Sequence, residues 1–180
     1  IVKNGMIVSQ SDTVIADIGI TGEKITAIGA DLQSTNTNTR IVDAKGHFVI
    51  PGALDVHVHL ELPFCGTVSA DDYRSGTRAA ARGGVTTVID FAIPYRDDTL
   101  ADAISNWKKK AADKALIDYS FHICITNWDK QQHEISEMIQ MGVPTFKEFM
   151  IYESQGWKSE DRTIFCTLEK MKDLGGMLLV

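Results

Sequence analysis

Apolar and polar residues follow two different rhythms along the chain. Up to about residue 50, short apolar runs are separated by polar turns. Ile1-Val2 and Met6-Ile7-Val8 flank Asn4-Gly5, residues 17–20 and 24–28 flank Thr21-Gly22-Glu23, and residues 41–44 and 47–50 flank Lys45-Gly46. Gly-bearing turns between such runs predict hairpins. Residues 33–40, rich in Thr and Asn, read as a loop. No helical period appears, so this part is expected to be all β.

From Pro51-Gly52 the rhythm changes. Strand-like segments at 53–60, 85–91, 117–126 and 144–151 alternate with helix-like segments at 70–82, 99–112, 129–141 and 161–174, and a fifth strand begins at Met177. Gly83-Gly84, Gly142 and Gly175-Gly176 stand where the helices should end. Residues 85–91 are a β-branched, nearly continuous apolar run, as expected of a buried parallel strand. Four βα units in a row predict an α/β region with a right-handed parallel sheet. An open doubly wound sheet and a (β/α)8 barrel both begin this way. A whole barrel needs roughly 250 residues, so residues 51–180 hold about half of one. No G-x-G-x-x-G follows the first strand, which weighs against a dinucleotide fold.

Composition narrows the function. The 180 residues are 44% hydrophobic and 23% charged, with a formal net charge of −6, ordinary values for a globular protein. The one basic run, Lys108-Lys109-Lys110, reads as a solvated helix face, and no basic stripe points to a nucleic acid. No apolar stretch approaches the ~18 residues of a membrane span. Cys65, Cys124 and Cys166 are too sparse for a disulfide framework or a CxxC knuckle, which fits a cytoplasmic location. Cys124 and Cys166 are expected to be buried and apolar in role, and Cys65 to form a pocket wall. The start has neither an initiator Met nor a signal-peptide pattern, so the chain is expected to have been clipped or processed.

The candidate chemistry begins at Asp55-Val56-His57-Val58-His59. Alternation on a strand points His57 and His59 to one face, with Cα atoms roughly 6.6 Å apart. Two imidazoles at that spacing can grip one metal ion, but a bare H-x-H is a weak signal and is more often a chance polar face. The second signal is Lys147 inside the apolar run from Thr145 to Tyr152. A charged amine is costly to bury there. The alternatives are a lysine that snorkels to solvent or pairs with Glu148. Tyr152 reads equally as an amphipathic residue at a strand end.

The string from Pro51 to Leu60 resembles the P-G-x-x-D-x-H-x-H signature of the amidohydrolase superfamily. Leu62-Pro63-Phe64, residues 83–91 and residues 117–122 resemble the dihydropyrimidinase and hydantoinase branch, so the likeness runs over essentially the whole chain. The resemblance implies that residues 1–50 contribute to a β-sandwich completed by later chain, and that residues 51–180 are the first four to five βα units of a TIM-type barrel. It implies that His57, His59 and a CO2-modified (carbamylated) Lys147 hold two divalent metals, most simply Zn²⁺, with the carbamate bridging them. It assigns Tyr152 to the substrate carbonyl and its developing oxyanion. The implied reaction is attack by a metal-activated hydroxide on a 5,6-dihydropyrimidine or 5-substituted hydantoin, opening the ring to an N-carbamoyl amino acid. The alternatives are an allantoinase-like enzyme or a non-catalytic dihydropyrimidinase-related scaffold. The scaffold relatives should have lost the histidines or the lysine, which this chain keeps. The usual assembly of the branch is a homotetramer.

Several finer expectations follow. Glu61, where dihydroorotase-like members place an Arg, should repel a carboxylate substrate. Asp55 should orient an imidazole or fix the strand, His122 should be structural or support a ligand, and His47 and His133 should lie on the surface. Asp90 either supports a ligand or packs polar groups. The family's remaining two His ligands and its catalytic Asp are not in this stretch. The protein is therefore expected to continue beyond Val180, and this stretch alone to be inactive.

Overall fold

A computed structural model describes residues 1–95 and 97–180. It divides into two compact units, Ile1–Pro51 and Gly52–Val180. In the first, β1 (Val2–Val8), β2 (Thr13–Thr21) and β3 (Lys24–Gly29) form an antiparallel meander, and β4 (Val42–Asp43) and β5 (Phe48–Val49) lie parallel along the far edge of β1. The turn at Gly22 forms as expected, with φ 60°. The Asn4-Gly5 hairpin does not. Val2 pairs with Ile18 and Gly5 with Ala16, so Asn4 and Gly5 make a bulge inside one strand. Asn4 takes φ 61°, a conformation Asn tolerates, and its N–H reaches Asp17 Oδ1 at 2.8 Å. A Cβ on Gly5 would lie 2.4 Å from Val49 Cγ2, so local turn propensity yields to the packing of two strands.

The Lys45-Gly46 turn also forms, closed by His47 N–H donating to Ala44 O at 2.9 Å. Its arms pair with β1 rather than with each other, because an open strand edge offers more unpaired backbone groups than a two-residue arm.

In the second unit, β6 (Ala53–Val58), β9 (Val85–Ala92), β10 (Asp118–Cys124), β11 (Thr145–Lys147) and β12 (Met177–Leu179) form one parallel sheet whose spatial order equals their order in the chain. A doubly wound sheet reverses its order at a switch point; these strands do not. A short hairpin, β7 (Pro63–Phe64) with β8 (Thr67–Val68), follows β6. The strands alternate with α1 (Tyr73–Arg82), α2 (Leu100–Ala111), α3 (Trp128–Gln131), α4 (Ile135–Gln140) and α5 (Asp161–Leu174). Pro51-Gly52 turns the chain into the sheet: a Cβ on Gly52 would sit 2.2 Å from Thr86, so no larger residue fits.

Two helices start on reciprocal caps, Asp72 with Ser75 and Thr99 with Asp102, each satisfying orphan N–H groups of the first turn. The Asp72 cap is why α1 starts at Tyr73 rather than at Ala70. The core lies where α2 packs on the sheet: Leu100, Ile104 and Trp107 meet Phe91, Ile123 and Phe146, all almost fully buried. Among the described residues no helix is long and apolar enough to cross a membrane.

Two elements differ from expectation. Residues 129–141 are two short helices, because buried Gln131 donates from Nε2 to Asp98 O at 3.2 Å and Glu134 Oε2 accepts Leu100 N–H at 2.8 Å. Tertiary hydrogen bonds displace a continuous helical ladder. The fourth strand stops at Lys147 instead of reaching Ile151, leaving a single bridge between Phe149 and Lys158.

Candidate active site

His57 sits in β6 and His59 directly after it, their ring centroids 5.1 Å apart. Both rings pack on Phe91 of β9, at 4.5 and 5.1 Å. The alternation of β6 therefore places the pair on the Phe91 face of the sheet. Register extends that face across the unit. Phe91 pairs with His122, and Cys124, two residues on, pairs with Lys147. Cross-strand partners and residues two apart share a face, so His57, His59, Phe91, His122, Cys124 and Lys147 all project from the same side. Among the described residues no group of three or more His, Cys, Asp or Glu comes together. Lys147 adds a nitrogen of another kind to this face.

The strand end carrying the imidazoles is held by neighbours. Asp55 Oδ1 accepts His57 N–H at 3.2 Å, so Asp55 fixes backbone. Asp90 is buried. Its carboxylate accepts the Leu60 N–H at 3.1 Å and the Tyr73 hydroxyl at 2.7 Å through Oδ2, and its own neighbour's N–H, Phe91, at 2.7 Å through Oδ1. Burial raises Asp90 to about 6 against these three bonds. Asp90 thus packs polar groups and fastens the residue after His59.

His122 is committed on both nitrogens, Nε2 to Val56 O at 2.9 Å and Nδ1 to Thr145 Oγ1 at 2.7 Å. A carbonyl can only accept, so Nε2 carries the proton and Nδ1 accepts from the Thr145 hydroxyl. His122 is structural, tying β6 to β10 and β11. Burial, and secondarily the charge of His57, lower the pKa of His59; burial also lowers that of His122. The neutral imidazole that results is the metal-binding form.

Lys147 is half-buried, opposite Cys124, whose thiol burial pushes up. Its Nζ lies 5.3 Å from the Phe149 ring centroid. It does not pair with Glu148, which points to the other side and accepts from Thr167 Oγ1. Tyr152 lies beyond the sheet with φ 68° and ψ 41°, a left-handed conformation that is rare and costly for a bulky side chain. Its ring packs against Phe64 at 5.4 Å, Phe149 at 5.5 Å and Trp157 at 6.0 Å. Phe64 belongs to the β7–β8 hairpin, so the loop after the histidines and the loop after the lysine meet in one aromatic cluster. The hairpin and this cluster were missed in the sequence; the adjacent Cys65-Gly66, both at positive φ, is the turn signal that marks them.

A cleft of about 470 Å³ opens at the carboxyl ends of the strands, lined by Leu62, Pro63, Ile93, Tyr95, Asn127 and Trp157 among others. Cys65 is not among its lining residues; it is exposed at the hairpin tip, with Gln155 Nε2 3.6 Å from its Sγ. Glu61 is engaged within the chain. It pairs with Lys114 and caps Tyr73 N–H at 3.4 Å, so repulsion of a carboxylate cannot be ascribed to it. Lys110 is also not a solvated residue: its ammonium donates to Glu61 O at 3.1 Å and lies 3.7 Å from the Trp107 ring centroid. His47 and His133 are exposed, His133 in the break between α3 and α4.

Comparison with known proteins adds ancestry to this geometry. The pattern of the Amidohydrolase family matches residues 48–178. The whole chain is 41% identical to the D-hydantoinase of Geobacillus stearothermophilus and 35% identical to the dihydropyrimidinase of Rattus norvegicus. It spans 38% and 36% of the lengths of those proteins. The crystal structure of dihydropyrimidinase from Brevibacillus agri superposes with a TM-score of 0.92 at 40% identity, covering 98% of this chain and 38% of that one. The likeness makes the α/β unit a parallel sheet curled like half a barrel.

Proposed function

Because the chain belongs to the Amidohydrolase family, we propose that the protein carrying it is a metal-dependent hydrolase that opens cyclic amides or ureides to N-carbamoyl amino acids. The substrates are 5,6-dihydropyrimidines or 5-substituted hydantoins, in keeping with relatives named D-hydantoinase and dihydropyrimidinase. The observation that carries the reading is the common face of His57, His59 and Lys147 at the carboxyl ends of their strands. In this reading Gly52–Val180 is the opening half of a TIM-type barrel, whose catalytic mouth lies at that end, and Ile1–Pro51 is part of a β-sandwich.

The donor set fits divalent metal. Two imidazoles with ring centroids 5.1 Å apart and a half-buried amine that forms no ion pair among the described residues suit Zn²⁺ once the amine is carbamylated. When bound, such ions lower the pKa of water and supply the nucleophile at neutral pH. His57 and His59 would hold the more buried ion. Phe91 stacks beneath both rings and limits their rotation. Lys147 supplies the oxygen ligands as its carbamate, an anion in place of a costly buried cation. Tyr152 donates its phenolic proton in a hydrogen bond to the ring carbonyl, strengthening as negative charge develops on that oxygen. The aromatic cluster packs against the Tyr152 ring, and the neighbouring cleft receives the substrate ring and its substituent. The three free cysteines fit a cytoplasmic location, and the family resemblance supports a homotetramer.

The test is an assay of the full-length protein on dihydrouracil, phenylhydantoin and allantoin, with metal content and sedimentation measured in parallel. Ring opening of the first two with two metals per subunit is expected. A Lys147→Ala variant that keeps full activity and both metals would overturn the bridging assignment.

A further inference from the structure

Glu148 has no role in the chemistry above, yet its burial is complete. It follows Lys147 at the point where the fourth strand leaves the sheet, and its N–H still donates to Leu179 O at 3.0 Å. Its side chain turns away from the Lys147 face and meets α5, where Thr167 Oγ1, itself buried, donates to Oε1. Among the described residues Oε2 completes no hydrogen bond and Glu148 forms no ion pair. A buried carboxyl with one partner is expensive. An apolar residue would fill the same space without that cost, so the packing of the core does not account for a glutamate here.

What the carboxyl does reach is the far end of a loop. Residues 149–160 leave the sheet after Glu148 and return as α5, which begins at Asp161. The loop is pinched by Ser159 N–H donating to Phe149 O at 2.7 Å and by the Phe149–Lys158 bridge. Glu148 and Thr167 close the same neck from inside, joining the residue before the loop to the helix after it. Between these ties Tyr152 is held in a left-handed conformation, which persists only where surrounding structure enforces it. We propose that Glu148 is a positioning residue: by bonding Thr167 it locks the neck of the 149–160 loop and thereby fixes the Tyr152 hydroxyl for the ring carbonyl. The proposal rests on the assignment of Tyr152 given above.

The experiment compares Glu148→Ala, Glu148→Gln, Thr167→Val and Tyr152→Phe in the full-length protein. Backbone hydrogen exchange, metal content, and kcat and KM on dihydrouracil are measured for each. Glu148→Ala and Thr167→Val should each speed exchange over 149–160 by about 10-fold or more, leave exchange over 85–92 and metal content unchanged, and lower kcat by about 10-fold with KM within about 2-fold. Glu148→Gln, which keeps the acceptor oxygen, should restore both loop protection and kcat. Unchanged exchange over 149–160 in Glu148→Ala, or a loss shared equally by 85–92 and accompanied by metal loss, overturns the positioning role. If Tyr152→Phe keeps full kcat while Glu148→Ala still loosens the loop, the assignment of Tyr152 fails and with it the catalytic part of this proposal, leaving the neck lock standing.

Discussion

The two strand ends that carry the candidate site are built in opposite ways. At the end of β6, His57 and His59 reach one face across a register irregularity between Asp55 and Val58 and are held by groups from outside the segment. Asp90 fastens the Leu60 N–H, His122 binds Val56 O, and Phe91 lies under both rings. After β11 the ladder ends at Lys147, and Tyr152 sits beyond it in a left-handed backbone within an aromatic cluster. In the proposed reading the first end is a ligand platform, held by neighbouring strands. The second must aim a hydrogen-bond donor at a point off the sheet, which needs a loop and therefore ties to hold it. Phe64 against Tyr152 joins the two.

This contrast can be broken most directly at the platform. His59→Ala in the full-length protein should abolish metal retention at its site and lower kcat/KM by more than ~10³-fold, with the fold intact by circular dichroism; retained metal would mean the imidazole is not a ligand. Tyr152→Phe comes next. Loss of one oxyanion donor should cost about 10²–10³ in kcat while metal content stays at the wild-type level, whereas a parallel loss of metal would erase the distinction between the two ends.

Smaller effects test the supports. Tyr73→Phe removes the hydroxyl that Asp90 accepts at 2.7 Å and should cost on the order of 1–3 kcal/mol of stability, read by denaturant titration. Asp90 also carries a pH signature. Its carboxyl is raised by burial to about 6 from an ordinary 3.8. A raised acid stabilises the fold fully while both states are protonated, and that contribution is lost as pH climbs through the folded value. Asp90→Asn should therefore flatten the fall in melting temperature between about pH 4 and pH 6, and an unchanged slope would assign that fall to other groups. Thr99→Ala removes the cap of α2, remote from both ends, and should cost only about 1 kcal/mol with kcat unaltered.

Much of this was legible in the chain. The α/β rhythm after Pro51-Gly52, the helix that runs from Asp161 to Leu174, and the shared face of His57 and His59 follow from periods of 3.6 and 2 that every residue contributes to. The break between α3 and α4 was not legible, because buried Gln131 and Glu134 serve partners far along the chain. Nor was the true end of the fourth strand, since residues 148–151 are as apolar and β-prone as those before them. Glu61 misled for a related reason: position suggested a substrate contact, and Lys114, 53 residues away, took it.

By itself the sequence determined the alternation of strands and helices after Pro51-Gly52 and the shared face of His57 and His59, because those are consequences of local backbone geometry. Only the tertiary structure decided that Phe64 meets Tyr152, that His122 is spent on Val56 and Thr145, and that Glu148 turns to Thr167 rather than to Lys147. Those pairings depend on strand order and loop closure between distant segments, and competition among partners at the end of a strand is settled by what is packed there.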